Sequence, residues 1–382
     1  MAEDSQESED SGKVYPVVKH IKDALEARGW LQKDLAFVMG RKEYQITNLM
    51  SGRTELSPEI AQELGVILGG GGEHWLALDA AYRLSQTKQV DPTVVTRSKI
   101  FGYPIKEMQK RRWIAETDDT SELEYELKRL LRTDDLDDPL SLHGAGELPF
   151  EASFKRTIKA PDLNKPEKVW LARARELATY YPVVEYKEAN IEHLQNDLRR
   201  YAAKSQAVRR VPQLLARYGI KFVVVEPLKN VKIDGASFWL DKKSPAIAMS
   251  IRFDNIGSFW FTLMHEVEHI KNKDSLSFDD LEKKQTDENE KRVNENAARR
   301  LVPQHELEAF VKTYGPRYSE ARINNLATRL QIHPGIIVGQ LQHRGEISYA
   351  AFKSMLIKVR HLATDLTFTD GWGQPIPIPS VK

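Results

Sequence analysis

From about Val17 to Leu84, apolar residues recur every three or four positions in four short runs, IKDALEARG, LQKDLAFVMG, KEYQITNLMSG and SPEIAQELGVILG. That period predicts amphipathic helices, and Gly29, Gly40 and Gly52 stand where successive helices should stop. The run GGGG at 69–72 reads as a flexible joint before one more amphipathic helix, HWLALDAAYRL. From about 90 to 180 the pattern is mixed. Helical stretches at 104–115, 120–132 and 167–180 flank a polar segment, TDDLDDPLSLHGAGELP, and the whole reads as a connecting region. Two helices are predicted between 186 and 219, and then the period changes. KFVVVEPL, GASFWL and AIAMSI are short β-branched or aromatic runs separated by turn residues such as Asp234-Gly235, which predicts a three-stranded antiparallel meander. A long helix follows over 255–272, with Ile256, Phe259, Trp260, Leu263, Val267 and Ile270 on one apolar stripe. After a polar stretch, another helix over 288–302 stops before Pro303, and helices continue to about 360.

These elements predict an α+β protein in several parts: a disordered acidic tail at 1–16, an all-α bundle at 17–88, a helical connector at 89–180, a mixed domain at 181–362 and a tail at 363–382. A length of 382 residues favours more than one core. Net charge is +1, so any nucleic-acid binding must come from a local patch rather than a global field. The chain has no cysteine, which excludes a disulfide scaffold and a thiol nucleophile and leaves His, Asp and Glu as metal ligands. The N-terminal MAEDSQESEDSG lacks the apolar core of a signal peptide, and no window has the apolar length of a membrane span. A cytoplasmic protein without membrane contact is expected.

The stretch FTLMHEVEHIKNK places His265 and His269 four residues apart with Glu266 directly after the first. On a helix both imidazoles share a face and can reach one ion, and the intervening glutamate can serve a bound water. Two histidines on a solvated helix face are the competing explanation. The apolar opposite stripe argues for a core helix instead. Asn272 and Ser275 stand where the metzincin pattern needs Gly and a third His, so a third ligand must be a carboxylate from elsewhere. In ENEKRVNENAARRLVP, Glu290 shares a stripe with Val293, Asn294, Ala297 and Leu301, and an inward carboxylate is costly unless a cation compensates it. A first-turn glutamate favoured by the helix dipole is the simpler alternative, and Glu288, Glu295, Asp280 and His305 remain open as ligands.

HEVEH, a polar gap, then E-x-x-x-N-x-x-A ending in Leu-Val-Pro resembles the ImmA/IrrE family of metallopeptidases, as does HPGIIVGQLQHRG at 333–345. The resemblance covers roughly 175–350 and implies a zincin-like fold, His265, His269 and Glu290 as ligands of zinc (manganese or another divalent ion being the alternative), and Glu266 as general base. Glu268 departs from the Gly usual before the second His, and Asn296 from an apolar residue.

LQKDLAFVMGRKEYQITNLMSG has the pattern of a helix-turn-helix: Leu35, Ala36 and Val38 pack one helix, Gly40 turns, and Ile46 and Leu49 anchor the next. Gln32, Lys33, Lys42, Glu43, Gln45, Asn48 and Arg53 are then exposed, offering amides to base edges and cations to phosphates. An ordinary bundle with a solvated face explains the same pattern. Residues 17–85 resemble the lambda-repressor-like (Cro/cI, or XRE) domain of the HigA antitoxin kind, and YPIKEMQKRRWI resembles the connector joining such domains to ImmA/IrrE-like ones. Together the resemblances imply a homodimeric regulator that binds operator DNA through Gln32, Lys33, Lys42, Gln45, Asn48 and Arg53 and cleaves a repressor or antitoxin in a stress, phage or toxin-antitoxin setting. A cognate toxin is the other implied partner. The rival expectation is an antitoxin-like transcription factor whose zincin fold only senses or binds. Lys110, Arg111 and Arg112 are expected on a solvated face, Trp239, Phe259 and Trp260 in the core, and His333 and His343 as minor candidates.

Overall fold

The computed structural model describes residues 15–87, 90–136, 163–274, 276–279 and 288–373. Most of the acidic tail, most of TDDLDDPLSLHGAGELP, the alternative ligand Asp280 and the last nine residues lie outside the described residues. The chain divides into two compact units, Met1–Asp91 and Pro92–Lys382.

The first unit contains α1 (Pro16–Glu26), α2 (Gln32–Val38), α3 (Glu43–Met50), α4 (Pro58–Leu68) and α5 (Gly71–Gln86). Its core joins Val17, Ile21, Leu25, Leu35, Ile46, Leu49, Ala61, Leu64 and Trp75, the apolar stripes of the four sequence runs and of HWLALDAAYRL. Gly40 turns the chain between α2 and α3 at φ +63°, a conformation that costs other residues strain. Ser57 caps α4 by accepting from Ile60 N at 3.3 Å. The GGGG run is not the flexible joint expected from its composition. Gly71 and Gly72 already belong to α5, and a Cβ on Gly65 would lie 2.4 Å from the Gly71 carbonyl carbon. These glycines let two helix backbones touch.

The second unit opens with α6 (Pro92–Ile100), α7 (Ile105–Lys110), α8 (Thr120–Leu131), α9 (Lys165–Tyr180), α10 (Ile191–Tyr201) and α11 (Val211–Arg217). There follow β1 (Lys221–Val225), β2 (Gly235–Trp239), β3 (Pro245–Met249), α12 (Ile256–Asn272), β4 (Leu276–Asp279), α13 (Glu288–Leu301), α14 (Gln304–Tyr314), α15 (Glu320–Leu330), α16 (Pro334–His343), α17 (Arg360–Ala363) and β5 (Phe368–Asp370).

The three-stranded antiparallel meander is corrected to a larger mixed sheet, ordered β4-β2-β3-β1-β5. β2 and β3 form the expected antiparallel pair, with Ser237 opposite Ile247. β1, however, pairs with β3 in parallel, Phe222 beside Ile247, and β5 adds in parallel on its other side. The reason is visible in β1 itself: a continuous FVVV run, buried throughout, suits an interior strand covered on both faces rather than a half-exposed meander strand.

Alternation sends Phe222 and Val224 of β1, and Ile247 and Met249 of β3, to one core that holds the stripe of α12. Val223 and Val225, with Ala246 and Ala248, join a second core built from Trp113, Leu127, Val169, Trp170 and Leu177. The stretch read from sequence as a connector therefore supplies the second covering layer of the sheet. Trp170 Nε1 donates to Val225 O at 3.0 Å, and Arg173 pairs with Asp370 Oδ2 of β5 at 2.5 Å, both groups buried. β5 lies in the segment expected to be a tail.

Candidate functional site

α12 starts where Asn255 accepts from Ser258 N at 2.9 Å and ends at Lys273 in the left-handed conformation, φ 60°. Its predicted stripe, from Ile256 through Ile270, is buried in the first core. Burying each such side chain contributes on the order of 1.5–3 kcal/mol, so the helix is held in one rotation about its axis. That rotation also buries His265, Glu266 and His269 completely.

α13 packs beside it through Val293, Ala297 and Leu301, and its first turn brings Glu290 to the histidines. The two Nε2 atoms are 2.8 Å apart. The Glu290 oxygens lie 3.5 Å from His265 Nε2 and 3.5 Å from His269 Nε2. One ligand atom from each of the three residues falls within 4.8 Å of the others. Bonds of about 2.0–2.1 Å to a tetrahedral ion would put neighbouring ligand atoms about 3.4 Å apart, so the residues present fit a metal ion. Glu290 Oε2 is buried without a hydrogen-bond partner, which such an ion would supply.

Charge in the site is arranged to suit a cation. Burial, followed by neighbouring His269, drives the His265 imidazole well below its ordinary pKa and keeps it neutral, as a ligand must be. Burial also opposes charge on His269, but hydrogen bonds to Asp274 and Glu290 outweigh it and push that imidazole up to about 10, so the carboxylates favour positive charge there, and a metal ion must displace that proton for His269 to ligate. Asp274 Oδ2 sits 2.7 Å from His269 Nδ1, which fixes the ring with Nε2 toward Glu290. Trp239 Nε1 in turn donates to the Asp274 carbonyl at 3.0 Å.

Among the described residues, the remaining ligand candidates do not converge here. Glu288 is exposed, Glu295 pairs with Arg299 at 2.8 Å, and the His305 side chain is exposed. His333 is an N-cap, its Nδ1 accepting from Gly335 N at 3.1 Å. His343 and His265 each have a ring centroid 6.2 Å from that of Phe261. Arg111, expected on a solvated face, instead donates to Glu226 O at 2.7 Å and ties α7 to the end of β1.

Asp274 and Gly235 carry weight that the sequence reading missed. A Cβ on Gly235 would come 2.5 Å from Thr262 Cγ2 and 2.9 Å from Glu266 Oε1, so the absence of a side chain lets β2 approach the glutamate. A glycine inside a strand run is the signal that could have found it.

In the first unit, Gln32 and Lys33 lie on the first turn of α2 and Lys42 is the N-cap of α3. Gln45 Oε1 accepts from Lys42 N at 3.0 Å. Gln32, Lys33, Lys42, Gln45 and Arg53 are exposed, while Asn48 is half-buried. Tyr44, also exposed on α3, was not among the expected residues.

The mixed sheet, the buried histidine helix and the carboxylate of its neighbour form an α+β domain with a His/His/Glu cluster able to hold a metal ion. Residues 215–343, from α11 to the end of α16, match the family model described as Peptidase_M78, IrrE N-terminal-like domain, and this match relates the domain to metalloproteases. Neither a curated protein nor a solved structure gives a significant match. No helix of the described residues is long and apolar enough to cross a membrane.

Proposed function

We propose that this chain is a DNA-binding regulator carrying a metal-dependent endopeptidase, with His265, His269 and Glu290 as ligands and zinc as the ion. The observation that carries the peptidase half is the meeting of those three side chains beside a fully buried Glu266. Those three residues would hold a divalent ion, which would supply polarisation of a scissile carbonyl and a more acidic water. The Glu266 carboxylate takes a proton from the attacking water and returns it to the leaving nitrogen. Asp274 holds the His269 ring in the orientation its Nε2 requires.

The regulatory half is supported by the α2–Gly40–α3 arrangement with its exposed amides and cations. In this reading a homodimer binds operator DNA in the cytoplasm and cleaves a repressor or antitoxin-type protein under stress, in a phage or toxin-antitoxin setting. The test compares wild type with Glu266→Gln, measuring metal content, cleavage of co-expressed candidate repressors and release of operator DNA. Retained metal with lost cleavage and lost release supports the reading. Unchanged regulation in the variant would leave a sensor or partner-binding module, and the absence of salt-dependent DNA binding would remove the operator.

A further inference from the structure

Glu268 takes no part in the chemistry above, yet it is only 2 % exposed and directly precedes His269. Burying a carboxylate is costly unless partners compensate it. Here Oε1 accepts from Gln195 Nε2 of α10 at 2.7 Å, both side chains buried. Arg300 Nε of α13 lies 3.9 Å from the same oxygen, and its Nη2 reaches Glu192 of α10 at 3.5 Å. One buried carboxylate on the ligand-bearing helix thus links two neighbouring helices, one of which carries Glu290.

Apolar packing through Val293, Ala297 and Leu301 attracts α13 to α12 but does little to fix its rotation, because such contacts have no preferred direction. The Arg300–Glu268 charge pair has one, while the Gln195 hydrogen bond holds the Glu268 carboxylate in place to receive it. Arg300 and Glu290 are ten residues apart on α13, about 15 Å, and a rigid helix carries a rotation at one end to the other. We propose that Glu268 is a positioning residue: through Arg300 it fixes α13 against α12 and so holds the Glu290 carboxylate opposite the two imidazoles. The proposal rests on the metal-site reading above.

The experiment uses the full chain as wild type, Glu268→Gln and Arg300→Met. Zinc affinity is measured by competition with a chelator, ligand geometry by the visible spectrum after cobalt substitution, and fold by thermal melting without metal. Glu268→Gln keeps the acceptor for Gln195 and loses only the charge. Arg300→Met changes a partly exposed residue and keeps the test alive should the first variant fold poorly. The expected result is a 10–100-fold loss of zinc affinity in each, an altered cobalt spectrum, and a double variant no weaker than either single one. Variants that melt earlier but keep wild-type zinc affinity and spectrum would overturn the positioning role and leave the metal site standing. A wild-type chain that binds no divalent ion would overturn both.

Discussion

The α2–α3 face and the α12–α13 site hold their candidate residues in opposite environments. Gln32, Lys33, Lys42 and Arg53 stand in solvent, where water can satisfy their side chains, and Gln45, exposed as well, caps the start of α3. His265, Glu266 and His269 are buried, where polar groups must be compensated by something the fold or a ligand supplies. The contrast teaches how far each region speaks for itself. A buried cluster with an unsatisfied Glu290 oxygen asks for a cation on physical grounds, whereas an exposed set of amides and cations is compatible with DNA but does not require it.

The comparison breaks most sharply at the metal ligands. His265→Ala or Glu290→Ala should empty the site of zinc, read by elemental analysis, while Glu266→Gln should keep the ion and lower cleavage by about 10²–10⁴-fold. Zinc retained by Glu290→Ala would mean that the buried cluster is not the site. Core truncation comes next: Leu263→Ala in α12 and Leu64→Ala in α4 should each cost about 2–5 kcal/mol in denaturant titration, because both side chains are fully buried. Asp274→Ala should weaken zinc about 10–100-fold by freeing the His269 ring, measured by chelator competition. The smallest effects belong to the exposed face. Lys33→Ala and Arg53→Ala should each lower the salt slope of DNA binding by about one unit while stability stays within about 0.5 kcal/mol. A loss of stability like that of Leu64→Ala would show that the bundle does depend on those residues.

Helical periodicity made α1–α5, α12 and α13 readable, because a 3.6-residue stripe is a local property that packing then uses unchanged. The pairing of strands was not readable in the same way. FVVV announces a buried strand, but which strands flank it depends on the β1–β3 pairing and on β5, whose sequence lies far downstream. The stretch before Tyr180 showed helices without showing their purpose, since only the sheet reveals that Trp170 and its neighbours cover a second face. Gly235 looked like a turn residue and proved to be the gap that admits Glu266.

The sequence by itself determined the helices of the first unit, α12 and α13, the i, i+4 histidine pair and the stripe that includes Glu290, since each follows from a short-range period. Tertiary structure alone decided that this carboxylate meets the two imidazoles, that Asp274 orients one of them and that Glu268 binds two neighbouring helices. Those relations join residues from separate elements, and their distances are set by how the helices pack against the sheet.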